Sequence, residues 1–396
     1  KKIKPSLTVS VNIKANALKA EGKDVLVLAA GEPDFDTPQN IQEAAIKAMQ
    51  GGETRYVPGK GTPLLQQAII NKFNRDNGLL YEKDEITVGV GGKHIIYNAM
   101  MATLDKGDEV IIPAPYWVSY PDIVLLADGS PIIVKCHEED QFKITSKQLE
   151  KNITSKTKWL MLNSPSNPTG STYSYKELKD LANILINYPN VLILSDDIYE
   201  KILYDDQKFF TIAQVEPKLK NRTLTMNGVS KAFCMTGWRL GYAGGPKHVI
   251  AGMNKIQSQS TTSTSSISMA AATEALNGNQ DFIGVRLIPS KNRLYHYGEH
   301  FSHIIGYTGL PSKQDLKLPF ISSMLSLDIG KTGIEKIFNK KLIGLPGSKQ
   351  VEVNSVGRII REISKIESSD GNNILLSIDL RVQKMIYEEI KNIKSG

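Results

Sequence analysis

The stretch that decides the fold runs from residue 227 to residue 241 and reads Asn-Gly-Val-Ser-Lys-Ala-Phe-Cys-Met-Thr-Gly-Trp-Arg-Leu-Gly. It follows an apolar β-type run, Thr223–Met226, and carries Lys231 and Arg239 on a loop that can fold back on itself. A lysine whose amine loses its proton near neutral pH can form an imine with a carbonyl group. An arginine beside it can pair with a phosphate. Taken alone, the two residues are better explained as a solvated lysine and a surface arginine, so the surrounding sequence has to decide.

On both sides of this stretch, apolar β-type runs alternate with amphipathic stretches over residues 1–286. This pattern predicts an α/β domain with a mainly parallel sheet, in which ligand-binding residues collect at the carboxyl ends of the strands. The predicted strands are Asp108–Pro113, Lys158–Leu162, Val191–Leu194, Thr223–Met226 and Arg239–Ala243. The predicted helices are Thr62–Asn77, Lys93–Leu104, Tyr175–Ile186, Lys247–Gln257 and Ser268–Leu276, with a loop over Ser258–Ser268.

Five further segments offer chemistry at the ends of these runs. Residues 89–94, Gly-Val-Gly-Gly-Lys-His, open a predicted helix whose backbone N–H groups could bind a phosphate. Residues 195–200, Ser-Asp-Asp-Ile-Tyr-Glu, follow a strand and offer two carboxylates at its carboxyl end. The others are Ala-Gly-Glu-Pro-Asp-Phe-Asp-Thr-Pro at 30–38, Pro-Tyr-Trp-Val-Ser-Tyr at 115–120 and Asn-Ser-Pro-Ser-Asn-Pro-Thr-Gly at 163–170. Singly, each is an ordinary turn, strand end, helix cap or buried tryptophan.

In this order, the six segments resemble the class I pyridoxal-phosphate (PLP) aminotransferases, in the subgroup of aspartate and aspartate/prephenate aminotransferases. The resemblance covers residues 1–286, and the segment around Lys231 is its most specific part. It implies the PLP-dependent transferase fold type I, a mainly parallel sheet flanked by helices. It also implies PLP as cofactor, and an amino acid and a 2-oxo acid as substrates.

The resemblance assigns a role to each matching residue, with Lys231 as the catalytic lysine. Cofactor contacts are implied for Tyr56, Gly92, Lys93, Trp117, Asn167, Asp196, Tyr199, Lys231 and Arg239. Substrate contacts are implied for Gly31, Trp117 and Asn167. In the family pattern Asp196 faces the pyridine nitrogen, Asn167 and Tyr199 hydrogen-bond O3′, and Arg239 pairs with the phosphate. Tyr56 matches a tyrosine that reaches the phosphate of the neighbouring subunit, which implies a homodimer with shared active sites.

The implied reaction runs as two half-reactions. An amino acid displaces Lys231 from its aldimine with PLP, and the freed lysine moves a proton from Cα to C4′ as general base and acid. We expect L-aspartate as amino donor and 2-oxoglutarate as acceptor, with prephenate as an acceptor in some members of the subgroup. An aromatic aminotransferase and a β-eliminating lyase of the same fold type remain as alternatives.

The aminotransferase pattern stops after Arg286, and the family's arginine for the substrate α-carboxylate is not found. Arg358 lies at about the right distance from Lys231, but its surrounding sequence does not match. Residues 287–396 have short β-like runs and many glycines, which predict a small β-rich α+β region ending in an amphipathic helix, Leu380–Ile393. We therefore expect two domains, 1–286 and 287–396, and a weakened or absent turnover.

The second region resembles the non-catalytic pedestal of class B penicillin-binding proteins, similar to penicillin-binding protein 2. The matching segments are 303–307, 329–336, 352–358 and 377–383. Lys331-Thr332-Gly333 spells a transpeptidase triplet, but it stands upstream of where that catalytic domain would begin. The chain thus resembles a chimera, and a non-catalytic interaction protein of the cell envelope is a second interpretation of its function.

Composition narrows the remaining classes. The 396 residues carry 48 Lys and Arg against 41 Asp and Glu, a net charge of +7. Most of this excess follows residue 286, without interleaved aromatic residues or a nucleic-acid motif, so we expect a solvated surface and no nucleic-acid partner. There is no apolar run of about 18 residues and no signal-peptide pattern, so we expect no membrane segment and a cytoplasmic location. Two cysteines, Cys136 and Cys234, exclude a disulfide framework, and we expect no metal site.

Overall fold

The chain divides into two compact units, Lys1–Arg286 and Leu287–Gly396. The computed structural model describes residue 3 and residues 7–26, 31–205, 207–278, 293–312, 315, 328–345, 347–353 and 359–391. Several predicted features lie outside these residues: the boundary itself, Ala30, part of the pedestal-like segment at 354–358 with Arg358, and Ile393. Each unit is described by itself below.

The first unit is built on a seven-stranded sheet. Its strands are β1 Ile86–Gly89, β2 Glu109–Ala114, β3 Ser130–Lys135, β4 Thr157–Asn163, β5 Leu192–Asp196, β6 Thr223–Gly228 and β7 Gly241–Gly244. Their spatial order is β1-β7-β6-β5-β4-β2-β3. The pairs from β3 to β6 are parallel, whereas β7 runs antiparallel to both β6 and β1. The carboxyl ends of the parallel strands therefore share one edge of the sheet.

Helices accompany these strands along the chain. They are α1 Leu7–Ala20, α2 Gln39–Gln50, α3 Pro63–Asn77, α4 Gly92–Thr103, α5 Ser119–Leu126, α6 Ser146–Asn152, α7 Tyr175–Ile186, α8 Ile212–Val215, α9 Lys247–Gln259 and α10 Ser266–Asn277. Short 3-10 turns occupy Lys83–Glu85, Glu138–Asp140, Pro217–Arg222 and Thr236–Trp238. The mainly parallel α/β fold predicted from the sequence is confirmed.

Local sequence explains where several helices begin. Ser174 and Glu177 form a reciprocal capping box, so α7 begins at Tyr175, as the sequence predicts. Thr62 accepts a hydrogen bond from the backbone N–H of Leu65, so α3 begins one residue after the predicted start. Helix α4 begins at Gly92 and not at Lys93, because Gly91 with φ of 80° supplies the turn before it.

Two predictions in this unit need correction. The strand predicted from Arg239 begins only at Gly241, because Arg239 has a φ of 53° and leaves the extended conformation. The predicted loop Ser258–Ser268 is shorter than expected, because α9 continues to Gln259 and Ser265 caps α10.

Apolar side chains fill both faces of the sheet, with Phe73 and Trp159 among the largest that are fully buried. A packed core on each face keeps the strand ends in fixed positions.

The second unit contains two antiparallel strand pairs and short helices within its described residues. Strands β8 Thr308–Gly309 and β9 Ile329–Gly330 form one pair, and β10 Ser348–Val353 and β11 Ile359–Ile366 form the other. The helices are α11 Gly298–Ile305, α12 Gly333–Ile337, α13 Asn339–Leu342 and α14 Leu380–Ile390. The predicted α+β character is confirmed, and the closing helix ends at Ile390, three residues before the predicted end.

Candidate active site

Asp196 is the carboxylate at the carboxyl end of β5, and only 4% of its surface is exposed. The Tyr120 hydroxyl donates to its Oδ2 over 2.6 Å, and the Ile198 backbone N–H donates to Oδ1 over 3.3 Å. Burial raises the pKa of Asp196 to about 6, and the Tyr120 hydrogen bond opposes that rise. Within the described part of the chain, no lysine or arginine forms an ion pair with Asp196. A buried carboxylate in this state favours a cationic partner from outside the chain.

Asn167 and Tyr199 lie next to this carboxylate. Asn163, the last residue of β4, donates from its side chain to the Asp196 carbonyl over 2.9 Å. It also accepts from the Asn167 backbone N–H over 2.7 Å, which joins the 163–170 turn to the end of β5. Burial raises the pKa of Tyr199, with Asp196 adding to the rise and a side-chain hydrogen bond with Asn167 opposing it. The turn and the strand end therefore present Asn167, Asp196 and Tyr199 together.

Lys231 lies in the loop that follows β6, the neighbour of β5. Its ammonium donates to the carbonyl oxygen of Gly31 and lies 5.9 Å from the centre of the Tyr199 ring. Burial lowers the pKa of Lys231; Glu32 opposes this effect and Arg239 adds to it. A lysine with a lowered pKa has more of its amine in the nucleophilic form near neutral pH. Lys231 thus has the environment that imine chemistry needs.

Arg239 and the glycine turn before α4 form an anion-binding corner. A Cβ atom on Gly91 would lie 2.4 Å from Arg239 Nη2, so the guanidinium rests against the backbone of this turn. A Cβ on Gly241 would lie 2.5 Å from the backbone nitrogen of Gly92, at the first turn of α4. Arg239 Nη1 also donates to the carbonyl oxygen of Thr236 over 2.9 Å. A fixed guanidinium next to a helix N-terminus is a good receptor for a phosphate.

Lys93 and Trp117 lie on a second side of this corner. The Lys93 ammonium lies 4.9 Å from the centre of the Trp117 ring, a cation–π distance. Burial lowers the pKa of Lys93, and the nearby positive charge of Arg239 lowers it further. The Trp117 ring stands at 89° to the Tyr120 ring with centres 5.4 Å apart. Tyr120 thus joins the tryptophan to the Asp196 carboxylate.

The structure connects most of the predicted site residues and leaves Tyr56 apart. Contacts and electrostatic interactions link one set of residues, Gly31, Lys231, Tyr199, Asn167 and Asp196, and a second set, Gly91, Arg239, Lys93 and Trp117. Tyr56 lies on the surface with 95% of its area exposed, so its role toward a neighbouring subunit stays a prediction. Sequence reasoning assigned no role to Tyr120 or Asn163, although both occur in the segments that it singled out.

The residues present fit PLP. The buried Asp196 carboxylate lacks a cation among the described residues, and a pyridinium would supply one. The corner of Arg239 and the Gly91–Gly92 turn offers a guanidinium and helix N–H groups for a phosphate. The amine of Lys231 lies 5.9 Å from the centre of the Tyr199 ring, and the charge of Arg239 lowers the pKa of Lys231.

Comparison with known proteins identifies the family. The model of aminotransferases of class I and II matches residues 23–297 of this chain, slightly beyond Arg286. The chain belongs to this aminotransferase family. A "Probable aspartate/prephenate aminotransferase" of Rickettsia felis is 58% identical over 281 residues, which are 71% of this chain and 69% of that protein. The aminotransferases of this class use PLP, and the fold is PLP-dependent transferase fold type I.

Solved structures agree with this assignment. The aspartate aminotransferase of Rhizobium meliloti superposes with a TM-score of 0.69 at 54% identity, covering 70% of each chain. The aspartate aminotransferase of Thermus thermophilus with maleate superposes with a TM-score of 0.67 at 46% identity, covering 69% of this chain and 71% of that one. The aminotransferase match thus occupies most of the first unit.

The described residues contain no metal cluster and no membrane-spanning helix. His296-Tyr-Gly-Glu-His300 has a spacing that occurs in some zinc enzymes. Nevertheless, no group of three or more His, Cys, Asp or Glu in the described residues could hold a metal ion. Among the helices of the described segments, none is long and apolar enough to cross a membrane. Lys331 of the transpeptidase-like triplet forms an ion pair with Asp315 over 2.7 Å.

Proposed function

We propose that this aminotransferase transfers the amino group of L-aspartate to 2-oxoglutarate, with prephenate as a further acceptor, and that Lys231 is its catalytic residue. The observation that carries the proposal is the grouping of Lys231, Asp196 and Arg239 at the carboxyl edge of the sheet. A relative described as an aspartate/prephenate aminotransferase and a neighbour solved with maleate, a dicarboxylate, support this substrate class.

Different residues of the chain would bind the cofactor and hold its proton. Arg239 and the Gly91–Gly92 turn would bind the phosphate of PLP, and Trp117 would lie against its ring. Asp196 would hold a proton at the pyridine nitrogen, and Tyr120 would keep this carboxylate ionised and oriented. When bound, PLP supplies a ring that accepts electrons from the substrate Cα.

Lys231 would make the covalent attachment and then move the proton. Its burial favours the neutral amine, which is both a nucleophile and a base. Once released by substrate, its Nζ would take the proton from Cα and return it to the cofactor at C4′. Asn167 and Tyr199 would orient the ring through O3′, and Gly31 would lie beside the substrate.

The test is an absorption titration of the purified chain with PLP, followed by L-aspartate. We expect a visible band that depends on Lys231 and that changes when aspartate is added. The control is Lys231→Ala, which keeps the rest of the site. A band of equal strength in Lys231→Ala would contradict the proposal. A substrate panel of aspartate, prephenate and aromatic amino acids would decide between the aspartate subgroup, an aromatic aminotransferase and a β-eliminating lyase.

We further propose that residues 287–396 are a pedestal-like fragment in place of the family's small C-terminal domain, and that turnover is weakened because the arginine for the substrate α-carboxylate is not found. The match to the relatives covers about 70% of their length, so the rest of their sequence aligns with no part of this chain in those comparisons. Losing the charged hydrogen bonds between this arginine and the substrate α-carboxylate would cost about 1.5–3 kcal/mol of binding free energy. We therefore expect aspartate to react at a lower kcat/KM than in the relatives. Equal kcat/KM values would contradict this proposal.

Three broader proposals accompany this function. We infer a homodimer, and the exposed side chain of Tyr56 supports this inference. We also infer a cytoplasmic location and the absence of a nucleic-acid or membrane partner. Sedimentation of the purified chain with and without PLP tests the dimer. A protein that stays monomeric while binding PLP at full affinity would contradict the shared active site. The cell-envelope interaction role stays as the alternative, and it predicts partner binding without PLP.

A further inference from the structure

A buried charged network lies behind the candidate active site. Lys72 on α3 and Glu200 form an ion pair in which only 2% and 4% of the two side chains are exposed. Asn77, the last residue of α3, accepts from Lys72 Nζ over 2.8 Å and donates to Glu200 Oε2 over 3.1 Å. Each of the three side chains therefore bonds to the other two, in an interior where charges are costly unless they are well paired.

The network ends one residue away from the site. Glu200 follows Tyr199 directly in the turn after β5, and its backbone N–H donates to the carbonyl oxygen of Asp197 over 3.0 Å. The Ile202 backbone N–H donates to the carbonyl oxygen of Tyr199 over 2.8 Å. The turn that presents Tyr199 to Lys231 is thus tied by the Glu200 side chain to α3, an element that contributes none of the predicted site residues.

A buried ion pair is weak evidence for stability, because an apolar set of similar volume often stabilises a core as well or better. In this network the ion pair serves to orient the Glu200 carboxylate. The carboxylate of Glu200 has two oxygens, and Lys72 bonds to one while Asn77 bonds to the other. Two bonds from different residues fix the orientation of the carboxylate and with it the backbone at residue 200.

We propose that Glu200, held by Lys72 and Asn77, is a positioning residue that fixes the Tyr199 ring beside Lys231 and Asn167. This inference rests on the proposed function, because Tyr199 is useful in this position only if it contacts a bound cofactor. The simpler alternative is that the network only joins α3 to the sheet. The two differ in whether Glu200 acts through Tyr199.

A double-mutant cycle separates the two. Glu200→Gln, Tyr199→Phe and the double variant are compared with the unchanged protein by PLP affinity. We expect Glu200→Gln to weaken PLP binding about tenfold alone and less than about twofold in the Tyr199→Phe background, because the residue it positions is already altered. Equal factors in both backgrounds would overturn the proposal and favour the simpler alternative.

The matched control is Glu85→Gln. Glu85 pairs with Lys220 over 3.2 Å and is 9% exposed, but it lies just before β1, at the amino end of that strand. We expect it to lower stability while leaving PLP affinity within about twofold. If Glu200→Gln does not fold, Asn77→Ala keeps both charges and removes two hydrogen bonds, and it enters the same cycle.

A second readout needs no cofactor. Hydrogen exchange in the unliganded protein should speed up at the backbone amides of Glu200 and Ile202 in Glu200→Gln, and stay unchanged there in Glu85→Gln. Exchange that is unaffected in Glu200→Gln would also overturn the proposal. If the unchanged protein binds no PLP, the proposed function fails, whereas the exchange result still decides whether Glu200 orders the turn.

Discussion

Replacing Asp196 with asparagine should stabilise the unliganded protein and weaken its binding of PLP. The physical reason is the burial of a carboxylate that has hydrogen bonds but no cation among the described residues. The substitution removes the charge and keeps an oxygen that can accept from Tyr120. It also removes the group that would hold the proton on a pyridine nitrogen.

The size of the effect follows from the pKa of Asp196. The pKa of Asp196 is about 6 in the folded protein against an ordinary value of 3.8. This difference corresponds to a change of about 3 kcal/mol in the free energy of unfolding. Because the pKa of Asp196 is higher in the folded than in the unfolded protein, Asp196 contributes fully to the free energy of unfolding below about pH 4. This contribution is lost as the pH rises through about 6. The advantage of Asp196→Asn should therefore be about 3 kcal/mol near pH 8 and less than about 1 kcal/mol near pH 4.

Urea unfolding followed by tryptophan fluorescence is the assay. The three tryptophans, Trp117, Trp159 and Trp238, all belong to the first unit, so their signal reports on that unit alone. Unfolding is measured without PLP near pH 8, 6 and 4, and PLP affinity is then measured near pH 8. A free-energy difference that does not change with pH would refute the electrostatic reasoning. Unchanged PLP affinity would refute the role assigned to Asp196.

Three further substitutions test other parts of the site. Tyr120→Phe removes the 2.6 Å hydrogen bond to Asp196, so a PLP titration should report an affinity about tenfold lower, and an unchanged value would count against this contact. Gly91→Ala would place a Cβ 2.4 Å from the Arg239 guanidinium, at a residue whose φ is 80°. We therefore expect inorganic phosphate to compete less well with PLP in this variant. Unchanged competition would contradict phosphate binding at the anion-binding corner. Lys231→Ala should lack the visible band that the unchanged protein forms with PLP and should show no transamination in a coupled assay; measurable turnover would contradict a catalytic lysine.

Local signals account for what the sequence predicts well. Helix α7 is predicted to the residue because Ser174 and Glu177 cap it through contacts three residues apart. The segments that end strands β4, β5 and β6 predict the site, because parallel strands bring their carboxyl ends to one edge. These signals need no knowledge of distant parts of the chain.

The features that sequence reasoning missed depend on contacts between distant segments. The role of Tyr120 requires the spatial approach of α5 to the end of β5, 76 residues later. The start of β7 depends on the left-handed conformation of Arg239, which the thirteen-residue spacing from Met226 does not reveal. The role predicted for Tyr56 requires contact with a neighbouring subunit, and the fold of a single chain leaves this residue 95% exposed.

The hairpin formed by β6 and β7 closes the lysine loop at its base. Gly228 pairs with Gly241, so the segment between them, which carries both Lys231 and Arg239, is closed by its own two strands. Closing a short loop costs little chain entropy and requires no residue from beyond the hairpin. A change of sequence beyond the first unit would therefore leave this loop closed by the same strand pair.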